Sequence, residues 1–360
     1  MKALGLGLLG LVVVGGGGYG GSLVLLPQSA AKSQTIEVDK SAPSVVARLA
    51  SAPVNAPIGE GGLVTQTAIH PAANNVVTAD VKFSDGGLGH ATYTVTPAGE
   101  GSKVDVKLER TLAYLNPIER FQGGGGEPVA AAAAKFFPAV TADLTDAKIE
   151  GKSFDGLAYA VEQVTARPFI FNANCSPVDP AEIREAAAQS LAVLRPLLER
   201  YKLVQDGPPI AVETAWDDAE HPKQYCFQIG FAFTGEPPRI YAGGQVGQTP
   251  AGDVIRVHYE GPEENVLPTY DRMELAMWAA HVSWGRSFEV YHDDPEKPGG
   301  SVTRDIYYLL TSDPSALARL VPSAPAAAPA AATPAPAAPA PAQETPAPAA
   351  TPAAPATPPT

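Results

Sequence analysis

Cysteine is scarce in this sequence, and its scarcity limits the chemistry that the chain can support. The 360 residues include only Cys175 and Cys226, with no CxxC pair and no cluster of cysteine and histidine. A structural zinc site of the usual kind is therefore not expected. If the protein is exported, the two cysteines can form one disulfide; two separate thiols are the alternative.

Positive charge is also in short supply. The sequence has 25 lysines and arginines against 38 aspartates and glutamates, which gives a formal net charge of −13 at pH 7. Binding to nucleic acid depends on basic contacts with phosphates, and docking on anionic lipid depends on a basic patch. Because no basic segment or helix-turn-helix is evident, we expect no nucleic-acid partner.

Catalytic and cofactor motifs are missing as well. No nucleophile elbow, metal-ligand set or catalytic triad is evident, and nothing in the sequence predicts a cofactor. The acidic turn "HDDP" at 292–295 and the histidines His258 and His281 are the features closest to a metal motif. Adjacent carboxylates in a turn are usually solvated, and these histidines lack the spacing of a ligand pair. We therefore predict no metal site.

The N-terminal segment, residues 1–33, is apolar from Ala3 to Leu26 and has no charge in that run. Its length suits a membrane-spanning anchor, and apolar residues resume at 23–26 after a glycine-rich stretch. A cleaved signal peptide is the alternative, with "SAAKS" as the cleavage region. We expect periplasmic domains on a single anchor in a bacterial inner membrane; a secreted or periplasmic protein is the alternative.

The C-terminal segment, residues 317–360, is dominated by alanine, proline and threonine, and Glu344 is its only charge after residue 322. Such a composition has little apolar surface to bury, and its prolines block regular helix and sheet. We predict a disordered, extended spacer; a low-complexity extension without a role is the alternative.

Residues 34–150 are predicted to form an α+β domain. A strand and a helix start precede strand-like runs at 76–83, 90–97 and 103–111, and a helical segment follows. The residues "VDKSAPSVVARLAS", "ATYTVTPAGEGSKVDVKLER" and "LAYLNPIERF" resemble the SRPBCC superfamily, whose polyketide-cyclase-like members have a helix-grip fold. The resemblance implies a curved sheet around a long C-terminal helix, often with an apolar ligand.

One stretch departs from that pattern. The sequence has "FQGGGGEPVAAAAAK" where the family usually has a well-formed amphipathic helix. Each glycine at 123–126 costs about 1 kcal/mol relative to alanine inside a helix. We therefore expect a degenerate SRPBCC domain that packs on its neighbour and lacks a working pocket.

Residues 151–316 contain an internal repeat, and each unit has the order strand, helix, strand, strand. In the first unit the helix begins at "DPAEIREAAAQ", where Asp179 is placed to cap it and Pro180 takes the first helical position. In the second unit "NVLPTYDRMELAMW" is the helix, and "SFEVYHDDP" and "TRDIYYLLT" are the last strands. The predicted fold class is α+β, a helix-grip-like domain followed by a duplicated βαββ domain.

The second unit carries a further resemblance. The residues "TPAGDVIRVHYEGPEENVLPTYDRMELAMW", "FEVYHDDP" and "RDIYYLL" resemble the GyrI-like small-molecule-binding domain, also called the AraC-type effector-binding domain. The resemblance implies two βαββ units around a pseudo-twofold axis. It also implies a central cup that binds cationic or aromatic ligands above a glutamate, which corresponds to Glu289.

Strand alternation agrees with this position for the glutamate. On a strand, Glu289 shares one face with Ser287 and Tyr291, while Phe288 and Val290 lie on the other face. We expect the second pair to pack under the helices and the first face to line the cup. A carboxylate among aromatic rings suits a delocalised cation. Further candidate wall residues are Tyr259, Trp278, Tyr308, Phe171 and Tyr241.

The repeat also predicts how many carboxylates occupy the cup position. Aligning "PIAVET" with "SFEVYH" places Ala211 at the position of Glu289, and Glu213 at the position of Tyr291. The cup glutamate is thus present in one unit only, as expected of a single ligand site.

Three functions remain open at this point. The first is non-catalytic binding of a small amphipathic or cationic aromatic molecule by an exported, membrane-tethered protein. The second is hydrolysis of a small electrophile, with Glu289 as general base on water and Tyr259 or Tyr291 as donor. The third is an inert structural envelope protein, in which Glu289 faces solvent or pairs with an arginine; the candidate arginines are Arg286, Arg256 and Arg304.

Overall fold

The computed structural model describes most of the chain between residues 28 and 320, in the ranges 28–72, 75–112, 126–145, 149, 151–217, 219–236, 243–297 and 300–320. Within these ranges no helix combines the length and apolar character needed to cross a bilayer. The predicted anchor at residues 3–26 lies outside them, as do the glycines at 123–125 and the tail from residue 321.

In the N-terminal half, the described residues between 28 and 145 form six strands and two α-helices: β1 (Ser29–Val38), α1 (Ala42–Ala50), β2 (Pro57–Ile58), β3 (Val64–Ala72), β4 (Val76–Phe83), β5 (Leu88–Ala98), β6 (Gly101–Thr111) and α2 (Gly126–Leu144). The strands form one antiparallel sheet in the order β1-β6-β5-β4-β3-β2. Helix α2 packs across β1, β6 and β2, which gives the predicted sheet around a C-terminal helix.

In the C-terminal half, the described residues between 151 and 320 form eight strands and three α-helices: β7 (Ala160–Val164), β8 (Pro168–Pro177), α3 (Pro180–Arg200), β9 (Val204–Trp216), β10 (Gln224–Thr234), β11 (Gln245–Gln248), β12 (Gly252–Pro262), α4 (Val266–Ala279), β13 (Trp284–Tyr291), β14 (Ser301–Leu310) and α5 (Ser315–Leu320). As predicted, Asp179 caps α3, since its side chain accepts hydrogen bonds from the backbone amides of Ala181 and Glu182 at 3.0 and 3.1 Å.

The strand order of this second sheet shows the internal repeat directly. The sheet runs β11-β8-β10-β9-β13-β14-β12-β7. Outward from the central β9–β13 pair, each half of the sheet has the three strands of one βαββ unit. An edge strand follows, and it precedes the other unit in sequence. Glu289 pairs with Ala211 at the centre, so the equivalent positions of the two units are neighbours. The predicted α+β class with a duplicated βαββ domain is confirmed.

Cys175 on β8 and Cys226 on β10 lie directly opposite each other and are joined in a disulfide. The bond cross-links β8 and β10, which are neighbouring strands of the first βαββ unit. Of the two alternatives that the sequence left open, the structure has the bonded one.

Arg48 on α1 joins the N-terminal half to the C-terminal half. Its Nη1 donates to the backbone carbonyl of Trp278 on α4, and its Nη2 lies 2.5 Å from a carboxylate oxygen of Asp143. The guanidinium also lies over the Trp278 ring, 5.0 Å from its centroid. Because buried residues of both halves form one apolar core here, the halves are packed together. The domain boundary at residue 150 stays a prediction.

Candidate functional site

A cavity of about 530 Å³ lies between the second sheet and the N-terminal parts of α3 and α4. Strand β13 contributes Ser287, Glu289 and Tyr291 to its lining, and α4 contributes Tyr270 and Glu274. Since Glu289 belongs to the central strand pair, the floor of the cavity lies where the two βαββ units meet.

Glu289 is buried, with 6% of its surface exposed, and each of its carboxylate oxygens has a partner. Oε1 accepts a hydrogen bond from the Tyr270 hydroxyl at 2.8 Å, and Oε2 lies 3.1 Å from Nη1 of Arg304. These contacts offset the cost of burying the carboxylate. Of the three arginines considered as partners from sequence, the structure selects Arg304.

Arg304 pairs with two carboxylates of the cavity lining, Glu289 and Glu263. Its Nη2 lies 2.9 Å from Oε1 of Glu263, and its guanidinium lies over the Tyr291 ring, 4.3 Å from the centroid. Burial alone would lower the pKa of Arg304, but the adjacent Tyr291, Glu289 and acidic neighbours raise it above its ordinary value. The arginine is therefore a permanent positive charge in the floor.

The tyrosines around Glu289 are held in their neutral, hydrogen-bond-donating form. Burial, followed by the negative charge of Glu289, raises the pKa values of Tyr270, Tyr291 and Tyr225 well above the ordinary value. Burial and the neighbouring Glu274 do the same for Tyr308, which donates to Oε1 of Glu274 at 2.5 Å. Their rings supply polarisable walls without adding charge.

Negative charge predominates in the lining. Six carboxylate residues line the cavity: Glu213, Glu263, Glu264, Asp271, Glu274 and Glu289. Among the lining residues that the structure describes, Arg304 is the only basic one. A second arginine, Arg184, pairs with the lining residue Glu263 at 2.6 Å. Glu213 accepts a hydrogen bond from the uncharged hydroxyl of Ser287 at 2.5 Å. The carboxylates outnumber these cations, so the cavity attracts positive charge.

Three large apolar side chains at the cavity are exposed to solvent, and one of them is Val178, which is 38% exposed. Trp216 on β9 is 40% exposed and Leu267 on α4 is 46% exposed, and both belong to the lining. The Trp216 ring meets the ring of Tyr225 edge to face, at 5.3 Å between centroids. Exposed apolar surface beside a polar cavity suits a ligand with a flat or apolar body.

The structure brings together three of the seven predicted site residues. Glu289, Tyr291 and Tyr308 line the cavity. Phe171 does not line it, because Phe171 lies on the opposite face of the sheet and stacks on Phe169. Tyr241 lies outside the described residues.

Trp278 and Tyr259 are also placed differently from the prediction. Trp278 is buried where the two halves meet, against Arg48, and Tyr259 donates its hydroxyl to the carbonyl of Pro262. Neither lines the cavity. Helical spacing and strand alternation predicted that these aromatic residues are buried or half-buried. These patterns do not predict which part of the structure each residue packs against.

The packing predicted for the other face of β13 was wrong. Phe288 and Val290 were expected under the helices, yet they belong to an apolar cluster on the face away from α3 and α4. Phe288 stacks on Tyr307, with 4.4 Å between ring centroids. The helices cover the Glu289 face instead, so cavity and helices share one side of the sheet.

The residues of the site that were not assigned to it from sequence include Tyr270, Glu274 and Glu213. Tyr270 and Glu274 are four residues apart on α4, so both project from one helix face towards the sheet. One feature of the sequence could have identified them: a carboxylate follows a tyrosine by one helical turn on a mostly buried helix. Glu213 was noted in the alignment of the two units but was not assigned to the site. Because it lines the cavity, the first unit also contributes a carboxylate.

No protein-family model and no curated protein matches the sequence. Among solved structures, EcmrR in a DNA complex is similar over 42% of this chain at 10% identity, with a TM-score of 0.34, and the chain spans 57% of that protein. A hydrolase from Listeria innocua aligns over 43% of this chain and 93% of its own length, at 13% identity and a TM-score of 0.31.

A third solved structure aligns with both halves. The di-domain ARO/CYC protein StfQ, from the steffimycin biosynthetic pathway, aligns over 81% of this chain and 88% of its own length, at 12% identity and a TM-score of 0.21. All three TM-scores are below 0.5.

Proposed function

We propose that the cavity binds a small organic cation with an aromatic or amphipathic body, without catalysing a reaction. The observation that carries the proposal is the excess of carboxylates over basic groups in a cavity of about 530 Å³ that also has tyrosine walls. That volume is typical of small-molecule sites. A cation near these rings gains from both charge and cation–π attraction. The resemblance of the C-terminal half to GyrI-like domains agrees with this function.

Hydrolysis is the less favoured function. A general base needs an oxygen that faces the attacking water. In Glu289 one oxygen accepts from Tyr270 and the other is paired with Arg304. Turnover of any ligand that binds would revive the hydrolase hypothesis.

A thermal-shift screen of the full-length protein tests the binding proposal. Aromatic quaternary ammonium compounds are compared with neutral compounds of the same shape. A ligand at 100 times its dissociation constant should raise the free energy of unfolding by about 2.7 kcal/mol. Glu213→Gln removes a lining carboxylate, Glu289→Gln unmasks the charge of Arg304, and both should weaken the response to cations.

Glu260→Gln is the matched control, since Glu260 is exposed on β12 and does not line the cavity. This variant should respond like the wild type. Equal responses to cations and to their neutral counterparts, or equal responses in all variants, would contradict the proposal.

We also propose that the N-terminal segment directs export and holds the protein at a membrane. The apolar run from Ala3 to Leu26 and the disulfide between Cys175 and Cys226 support this, because disulfides persist in oxidising compartments. Cell fractionation and a topology reporter fused after residue 320 test it. A cytosolic signal from this fusion would contradict it.

A further inference from the structure

Two histidines and an aspartate meet on the face of the second sheet that lies away from the cavity. Asp305 on β14 pairs in register with both His258 on β12 and Val290 on β13. These side chains therefore project to the face opposite Glu289. His292 directly follows β13 and joins them. The cluster is thus separate from the proposed ligand site.

Three side chains that can act as metal ligands lie close together in this cluster. Nδ1 of His258 lies 2.7 Å from Oδ1 of Asp305, and Nε2 of His292 lies 2.8 Å from Oδ2. One candidate ligand atom from each of the three residues lies within 4.8 Å of the others. Asp305 is 13% exposed, and the histidines are 54% and 37% exposed, so an ion could reach the site from solvent.

We propose that His258, His292 and Asp305 bind a divalent transition-metal ion such as Zn²⁺. Two imidazoles and a carboxylate suit ions of borderline softness, and water would complete the coordination. Metal–ligand bonds of about 2.0 Å place neighbouring ligands of a tetrahedral site about 3.3 Å apart. The present nitrogen–oxygen distances are shorter than this, so the side chains need to separate by about half an ångström.

The charges around the cluster are compatible with an added cation. Nη1 of Arg256 lies 3.5 Å from Oδ1 of Asp305, and this arginine is also paired with Glu162 at 3.1 Å. The histidines must be neutral to coordinate metal.

A second cluster of the same composition provides a matched control. In the N-terminal half, His70 and His90 flank Asp80, with nitrogen–oxygen distances of 3.1 and 3.0 Å. These residues are more exposed than their counterparts: Asp80 is 44% exposed, against 13% for Asp305. A lasting metal site is favoured by the more enclosed carboxylate.

Calorimetric titration of metal-free full-length protein with Zn²⁺ tests the proposal, with visible absorption of the Co²⁺ form as a second readout. No reductant is added, so the disulfide stays closed. We expect one equivalent of metal to bind at neutral pH. His258→Gln and His292→Gln should each weaken binding by at least about tenfold, while the double variant His70→Gln/His90→Gln should bind like the wild type.

The same titration can overturn the proposal. No uptake of Zn²⁺ by correctly folded protein, or uptake that His258→Gln and His292→Gln leave unchanged, would do so. Loss of binding in the double variant His70→Gln/His90→Gln would place the site in the N-terminal half instead. Because these variants lie away from the cavity, the cation screen should give the same result in all of them.

Discussion

Both sheets of this protein are covered by helices, but the described residues beneath those helices differ. In the C-terminal half they include a group of carboxylates and tyrosines, whereas in the N-terminal half they are mostly apolar, with Tyr93 among them. In the N-terminal half, α2 buries Phe136, Val140 and Leu144. In the C-terminal half, the first turns of α3 and α4 enclose a cavity whose floor holds Glu289 and Arg304. The same kind of layered architecture thus serves packing in one half and a candidate binding site in the other.

Residue type on the helix-covered face explains the difference. On β4 the buried positions are Val77, Ala79, Val81 and Phe83, all apolar and closely packed. On β13 the corresponding face has Ser287, Glu289 and Tyr291, whose polar atoms need partners. Glu289 has its partners on α4 and β14, and Ser287 has its partner, Glu213, on β9.

The largest expected effect comes from creating a hole in the packed half. Phe136 is completely buried, so Phe136→Ala should lower the free energy of unfolding by about 3–5 kcal/mol. Denaturant titration measures the change. Val193→Ala is the control, because Val193 is 50% exposed on α3 and should change stability by less than about 0.5 kcal/mol. A loss under about 1 kcal/mol at Phe136 would show that this half is not a close-packed core.

The next effect concerns the buried ion pair in the cavity floor. Arg304→Met leaves the buried Glu289 without its cationic partner and removes one of the two arginines paired with Glu263, so it should cost about 3–5 kcal/mol. Adding Glu289→Gln should recover part of that loss, which a double-mutant cycle can measure. Lys297→Met breaks an exposed pair and should cost under about 1 kcal/mol. Additive effects of the two floor substitutions would mean that Glu289 and Arg304 do not interact.

The disulfide should matter less than either core feature. Cys175 and Cys226 are 51 residues apart, and closing such a loop stabilises the folded state by about 2–4 kcal/mol. Double substitution by alanine should lower stability by that amount and leave the fold intact. The midpoint of urea denaturation, compared between the oxidised wild type and the double variant, provides the measurement. Equal midpoints would show that the bond contributes nothing.

The smallest effect is a pH dependence where the two halves meet. Burial is the largest cause that lowers the pKa of His281, and the positive charge of Arg48 lowers it further. Together they outweigh the negative charge of Asp143, which raises this pKa. A lowered folded-state pKa means that unfolding takes up a proton, so stability is full above about pH 6.5 and falls as the pH is lowered below that value.

Denaturant titrations between about pH 7.5 and pH 5 check this direction. His281→Asn, a residue type that tolerates the positive φ of 56° at this position, should weaken the pH dependence. His90→Asn, at an exposed position, is the control and should retain it. A variant His281→Asn with the full wild-type pH dependence would contradict the account.

The sequence predicted the architecture better than the site. Alternation, capping residues and the repeat were local signals, and they predicted the α+β class, the cap at Asp179 and the face shared by Glu289 and Tyr291. The location of Trp278 depended on how the two halves pack, and no local pattern encodes that arrangement. The same holds for the choice of Arg304 as partner, since it requires the register between β13 and β14.

The most direct test of the central claim compares affinities in the intact protein. Isothermal titration would measure the binding of one aromatic quaternary ammonium ligand and of its neutral isostere. We expect the cation to bind at least about tenfold more tightly, and Glu213→Gln to reduce that ratio, because the carboxylates in the cavity supply the selectivity. Equal affinity for both compounds, or tighter binding of the neutral one, would contradict a cation site in this cavity.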